Sequence, residues 1–231
     1  MTATARCDLH THTFHSDGEL GPAALVELAA QRGLAALAIT DHDVLDAIPA
    51  AQRRGAELGL EVIAGIELSV DEGGRDVHLL GYFVSRPEVL LAALTALHEE
   101  RRRRAERMVE RLAGLGCAIE YEAVLLRARG GVVGRPHVAE ELLSRGHVAS
   151  INDAFDRFLG ADRPAYLPKR TLGLVDAAAL LRQAGAVPVV AHPGASDIED
   201  LLPRLRPAGV LGLEVWHPKH TESETRRYQR L

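Results

Sequence analysis

The chain has 231 residues, of which 47% are hydrophobic and 26% charged, with a formal net charge of −5. That length supports one large domain, or one domain carrying an insertion, and the composition excludes disordered, collagen-like and low-complexity chains. The mild negative charge argues against double-stranded DNA or a membrane as a partner held by overall charge, and leaves a local basic patch as the route to phosphates.

Arg6 to Leu9 is the first strand candidate, Pro22 to Arg32 reads as a helix opened by proline, and Leu34 to Thr40 is a buried apolar strand. A helix from about Asp46 to Leu58 leads to a strand at Glu61 to Leu68, and Val77 to Val84 follows the turn Asp71-Glu72-Gly73-Gly74. This alternation of strand and helix predicts parallel pairing. From Pro87 to Gly160 the patterns are consecutively helical, including Val89 to Leu115, with Gly130-Gly131 as a break. The β-α rhythm then resumes with a helix at Leu174 to Ala184, a strand at Val187 to Ala191, a helix around Ile198 to Leu205 and a strand at Val210 to Val215. The fold class expected is α/β, with a barrel-like domain over 1–86 and 165–231 and an inserted helical subdomain over 87–164.

Cys7 and Cys117 are the only cysteines, too few for a thiolate zinc site or a disulfide framework, and both are expected in the core. No basic-then-apolar leader opens the sequence and no apolar run is long enough to cross a bilayer, which predicts a cytoplasmic location. The unusual residue is histidine, eleven in all, with His10, His12 and His15 packed into the opening segment.

Metal-competent side chains recur where the predicted strands end, the edge at which α/β folds place their sites. Strand one runs into Asp8-Leu9-His10-Thr11-His12 and then Ser16-Asp17-Gly18. In an extended chain residues i and i+2 face the same side, so both imidazoles can reach one ion. Strand two ends in Thr40-Asp41-His42-Asp43, strand three in Gly65-Ile66-Glu67, strand four carries His78, and strand five ends in Ala191-His192-Pro193. Imidazole and carboxylate without thiolate suit Mn²⁺, Zn²⁺ or Fe²⁺, and Glu67 can bridge two ions. Clustered ions activate water and clamp both the attacking and the leaving oxygens, which is what phosphoester hydrolysis requires.

These motifs, with His78-Leu79-Leu80-Gly81-Tyr82, resemble those of the PHP (polymerase and histidinol phosphatase) superfamily. The helical insertion and its Gly134-Arg135-Pro136-His137 make the chain most similar to small phosphoesterases acting on nucleoside 3',5'-bisphosphates and on the 5' ends of short RNA. The resemblance implies a distorted (β/α)7-type barrel holding two to three divalent ions, Mn²⁺ first and Zn²⁺ or Fe²⁺ as alternatives. It implies His10, His12 and Glu67 at one ion, Glu67, His78 and His192 at a second, and Asp17 with His42 at a third. A metal-bound hydroxide would then attack a phosphomonoester, with Glu67 bridging. The superfamily pattern also closes on a strand ending in Asp-x-His. None follows Glu214-Val215-Trp216-His217-Pro218-Lys219-His220, so the barrel is expected to lack its last strand, through truncation of the sequence or as a gapped variant.

Arg101 and Arg104 lie three apart on a predicted helix and share a face, and Arg135 and His137 flank a stiffening proline, so these four are candidate phosphate contacts, as is His217 after the last strand. The alternative for Arg101 to Arg104 is a solvated face paired with Glu99, Glu100, Glu106 and Glu110. His15 reads as a loop residue, His98, His147 and His220 as surface, and Asp41 and Asp43 as groups that orient His42 or other ligands. Three other functions fit parts of the pattern: a catalytically weakened or inactive metal-binding domain, a histidinol-phosphatase-like enzyme, and an amidohydrolase-like barrel. The last resembles sites bridged by a strand lysine, and neither Lys169 nor Lys219 ends a suitable strand.

Overall fold

The structure, a computed structural model, describes residues 6–128, 131–168, 172–195 and 198–231. Gly130, at the expected helical break, and Lys169 lie outside the described residues. The fold is mixed α/β, built on one six-stranded sheet: β1 (Cys7–Thr11), β2 (Ala36–Ile39), β3 (Glu61–Glu72), β4 (Arg75–Tyr82), β5 (Val187–Val190) and β6 (Gly212–Leu213). Each strand lies beside its neighbours in sequence. The sheet curls into a half-barrel, which brings His10 on β1 within 3.1 Å of Glu214 just after β6, although these two strands are not paired.

Two compact units divide the chain, Met1–Ala93 with Thr171–Leu231, and Leu94–Arg170. In the first, α1 (Pro22–Gln31) and α2 (Ile48–Leu58) connect β1 to β2 and β2 to β3, and both pairs are parallel as predicted. Proline opens both helices within their first two positions, where the missing N–H costs nothing. Val26 and Ala29 of α1 and Ala51 of α2 bury their apolar face against Leu37 and Ile39 of β2.

Parallel pairing does not continue. β3 and β4 are antiparallel, in register from Gly65↔Tyr82 to Glu72↔Arg75, and β4 pairs antiparallel with β5 before β5 and β6 return to parallel. Gly73 and Gly74 both take positive φ, 66° and 85°, the two-residue turn that reverses a chain, whereas a parallel partner would need a crossover of a dozen residues. The hairpin also carries β3 four residues past the expected Leu68, so Glu67 lies inside a buried strand and not at its end. At the other side of the sheet, β6 is two residues long where Val210 to Val215 was expected, and the helix expected around Ile198 to Leu205 is a 3-10 turn (Glu199–Leu201) followed by α8 (Leu202–Ala208) after α7 (Leu174–Gln183). Cys7 is exposed, against expectation, because the outer residues of edge strand β1 face solvent; Cys117 is buried.

In the second unit, α3 (Pro87–Gly114) from Leu94 onward joins α4 (Tyr121–Arg127), α5 (Arg135–Ser144) and α6 (Ile151–Ala154), the last running into a π turn (Phe155–Leu159). Ala105, Met108 and Leu112 of α3 pack with Val124 of α4, Val138 and Leu142 of α5 and Leu159. Glu141 is buried on α5 and accepts from Arg127 at 2.7 Å and Arg145 at 2.7 Å. Burial works to raise its carboxyl from 4.5, and the hydrogen bonds from Arg145 and Arg127 outweigh it and hold the group below that value. A depressed folded-state value stabilises the fold above the unfolded one and loses that contribution as pH falls through it. Glu141→Gln is therefore expected to cost about 1 kcal/mol at neutral pH, since both arginines are partly solvated. Urea titrations at descending pH should show the gap to wild type closing in acid; a gap independent of pH would count against the ion pair.

Candidate metal centre

Strand β1 shifts register between Asp8 and Thr11, a bulge beside the edge from which His10 and His12 project. Both present Nε2 to the same oxygen of Glu67, at 3.0 and 3.1 Å, as the two-residue spacing predicts. The loop beyond is folded back by Asp41, whose buried carboxylate accepts from the Thr13 amide at 2.6 Å, the Thr13 hydroxyl at 2.7 Å and the Ser16 hydroxyl at 2.7 Å. Ser16 in turn lies 3.3 Å from Nδ1 of His12, placed to accept its N–H when Nε2 gives its lone pair to an ion. Gly18 closes the loop with its amide on the Thr13 carbonyl, and a Cβ there would run into the carbonyl of His12, so the backbone demands glycine at this position.

His42 is held through its neighbours' backbone. The Glu67 amide donates to the Asp41 carbonyl at 3.2 Å and the Asp43 amide to the Glu67 carbonyl at 2.9 Å, bracketing His42 beside β3. Asp43, in the left-handed region at φ 54°, accepts from the Ser69 amide and hydroxyl, both at 2.9 Å. Asp41 and Asp43 were expected to orient His42 or other ligands: Asp41 pins the β1 loop and reaches His12 through Ser16, and Asp43 pins β3.

Glu67 is the hub. Its side chain is 1% exposed, with His10, His12 and, at 3.4 Å, His42 on one oxygen, and His78 at 2.8 Å and His192 at 3.0 Å on the other. Burial pushes this carboxyl up, and hydrogen bonds from His10, His12, His192 and His78 overcome it, leaving the group far below the usual carboxylate range. Burial likewise opposes charge on His10, but Glu214 and Glu67 push that ring up to about 9, and Asp76 with Glu67 does the same for His78. His42 goes the other way, lowered chiefly by burial.

This donor set fits divalent metal. Five imidazoles converge on one carboxylate, which offers about four lone-pair directions, and neighbouring rings stand as close as 4.7 Å between centroids. Among the described residues, the buried Nδ1 atoms of His42 and His192 have no partner in hydrogen-bond geometry. Neutral rings set their remaining lone pairs against carboxylate oxygens, and protonated rings repel each other; a cation between them relieves both. Among the described residues, sets with ligand atoms mutually within 4.8 Å are His10, His12 and Glu67; His12, Asp17 and His42; His42, Glu67 and His78; and His10, Glu214 and His217. Six of the seven expected ligands fall in these sets, with His10, His12, His42 and Glu67 each shared between two, and His192 joins them through its contact with Glu67.

Glu214 was not anticipated. It accepts from Nδ1 of His10 at 3.1 Å and from the His192 amide at 2.7 Å. The available signal was an acidic residue leaving a predicted strand, the same criterion that selected the others. His217 packs beside the His10 and His192 rings, with Nδ1 accepting the Lys219 amide at 3.2 Å. His220 is half-buried and not a surface group: Nδ1 donates to the Val215 carbonyl at 3.0 Å, and Nε2 accepts from the Gly194 amide at 3.3 Å. His15 belongs to none of these sets and stacks beside Phe14.

The remaining candidates are in the second unit. Arg104 is buried and donates Nε to the Leu167 carbonyl at 2.7 Å, while burial, with Arg135 and Arg101 nearby, pulls it down to about 10. Arg101 is half-buried, and only Arg102 and Arg103 of that run are solvated. Arg135 lies over the rings of Phe155 and Tyr166 and donates to the Leu159 carbonyl at 3.3 Å. His137 accepts the Gly134 amide on Nδ1 at 3.1 Å, capping its own helix.

Residues 8–159 match the PHP domain family. The chain is 32% identical over 231 residues to the 3',5'-nucleoside bisphosphate phosphatase of Chromobacterium violaceum, covering 97% of this chain and 81% of that protein. It is 34% identical over 194 residues to the 5'-3' exoribonuclease Rnm of Salmonella typhimurium, covering 83% and 66%. It is also 35% identical over 231 residues to the phosphoribosyl 1,2-cyclic phosphate 1,2-diphosphodiesterase of Eggerthella lenta, covering 97% and 87%. Among solved structures, a protein of Bifidobacterium adolescentis described as a metal-dependent phosphoesterase superposes with a TM-score of 0.83 at 30% identity, covering 99% of this chain and 83% of that one.

Proposed function

The chain belongs to the PHP domain family, and we propose that it is a metal-dependent phosphoesterase that hydrolyses a phosphomonoester of a nucleotide, a nucleoside 3',5'-bisphosphate first and the 5' end of a short RNA second. The observation that carries this reading is the buried carboxylate of Glu67 with five imidazoles converging on it. His10, His12 and Glu67 would hold one ion, Glu67, His78 and His192 a second, and Asp17 with His42 a third. Bound divalent ions supply Lewis acidity and an activated water, the two requirements of phosphoester hydrolysis.

The chain's own residues do the positioning. Glu67 is buried within β3 and paired with Leu80, which fixes the backbone from which its carboxylate meets the rings. Asp41 and Ser16 aim His12, and the strain at His192, with φ 27°, is held by the bond from its amide to Glu214. His217 stands beside His10 and His192, where its ring would meet a phosphate oxygen bound at the centre. Within the second unit, burial first and then the nearby Arg135 and Arg101 depress Arg104, and the three arginines make a cationic group suited to phosphate, with His137 beside Arg135 in sequence.

Phosphate release from adenosine 3',5'-bisphosphate, release of phosphate or nucleotide from a 5'-phosphorylated RNA oligonucleotide, and ring opening of a five-membered cyclic phosphodiester to a phosphomonoester, each resolved by chromatography with Mn²⁺ present, test the proposal. Turnover of the bisphosphate at the highest kcat/KM is expected. Preference for the cyclic diester, or silence on all three with metal bound, would overturn the substrate assignment.

A further inference from the structure

Glu214 touches two residues of the candidate centre by two different routes. Nδ1 of His10 lies 3.1 and 3.2 Å from its two oxygens, and one of these oxygens also accepts the backbone amide of His192 at 2.7 Å. The rings of these same two histidines point their Nε2 atoms at opposite oxygens of Glu67, each at 3.0 Å. A neutral imidazole carries one N–H, and a carboxylate can only accept. Where the lone pair of Nε2 is given to an ion held with Glu67, the single proton of a neutral His10 sits on Nδ1, and the ionised Glu214 is placed to accept it. His192 is a non-glycine residue in the left-handed region, at φ 27°, a backbone state that persists only where surrounding bonds hold it, and the Glu214 bond is made to its own amide.

We propose that Glu214 is the positioning residue of the centre, fixing the Nδ1–H tautomer of His10 and the backbone of His192 so that both rings present Nε2 to the ions they hold. The inference rests on the metal-centre reading above. It competes with a second arrangement of the same atoms, in which His10, Glu214 and His217 themselves form a ligand set. The geometry favours positioning: both Glu214 oxygens already face protein donors, and ligation there would require His10 to be bound through Nδ1, away from Glu67.

The isostere E214Q separates this role from packing. It preserves shape but offers one acceptor in place of two and sets an amide NH₂ against a neighbour, which favours the wrong His10 tautomer. In the full chain, Mn²⁺ affinity measured by competition with a chromophoric chelator is expected to fall about 10- to 100-fold, with the circular dichroism of the metal-free protein unchanged. Unchanged affinity in E214Q, with wild type binding Mn²⁺, would overturn the positioning role and leave the metal centre standing. Wild type that takes up no Mn²⁺ would overturn both. Should E214Q not fold, ¹⁵N-histidine NMR of the wild-type chain loaded with Zn²⁺ decides. A protonated Nδ1 on His10 supports the inference, and a metal-bound Nδ1 refutes it.

Discussion

Glu67→Gln is expected to reduce phosphate release by about a thousandfold or more, equal to at least ~4 kcal/mol of transition-state stabilisation, while leaving the fold in place. The carboxylate divides its contacts, with His10, His12 and His42 on one oxygen and His78 and His192 on the other. An amide can serve only one of these groups, and its NH₂ must face the imidazole nitrogens of the other. It also removes the single charge at the centre of the cluster, and with it the means of joining two ions. Main-chain bonds from Glu67 to Asp41 and Asp43 and its strand pairing with Leu80 do not involve the side chain, so circular dichroism should be unchanged. Metal content counted on the same sample should fall with activity. Turnover near the wild-type rate would remove Glu67 from the reaction.

The second large effect is on stability. Asp41→Ala should lower the unfolding free energy of the metal-free protein by about 3–5 kcal/mol, from three donors losing their acceptor at about 1–3 kcal/mol each with partial relaxation. Two of these donors belong to Thr13, which is wholly buried and has no water to turn to. Asp41→Asn discriminates further. The Thr13 amide and Ser16 hydroxyl share one carboxylate oxygen and the Thr13 hydroxyl uses the other, so an amide oriented toward the first pair keeps two bonds of three. Its loss should be less than half that of the alanine variant. Urea unfolding with equal slopes for all three proteins checks both, and a loss below 1 kcal/mol in Asp41→Ala would show that the loop is held by other contacts.

Much of the site was readable from spacing. His10 and His12 follow from the two-residue repeat of extended chain, and His42 and His192 from the habit of α/β folds of ending strands at their sites. Six strands were also visible, because each is a short apolar run between turn residues. What spacing could not convey was direction and closure. Gly73-Gly74 was recognisable as a turn, yet the helical connections on either side suggested parallel pairing, and only two glycines with positive φ show that the chain reverses. Glu214 sits after a strand of two residues with no repeat to mark it, and its importance arises from the sheet curling until β6 meets β1, a property of accumulated twist and not of any segment. Cys7 failed for a related reason. A single apolar residue on an edge strand has the same local sequence whether or not another layer covers it.

The sheet's order, identical with the order of the strands in the sequence, has a consequence for how the centre comes into being. On a ribosome, β1 to β4 emerge together and can pair with one another at once, bringing His10, His12, Asp17, His42, Glu67 and His78 within reach in a single segment that ends at Tyr82. His192 and Glu214 follow only after the helical stretch has been synthesised, roughly 5–25 s later at about 5–20 residues per second. During that interval a half-built cluster stands open, and an ion entering it would be chosen by intrinsic affinity, since the geometry that would discriminate is not yet built. Selectivity would arrive last, with the strands that complete the half-barrel.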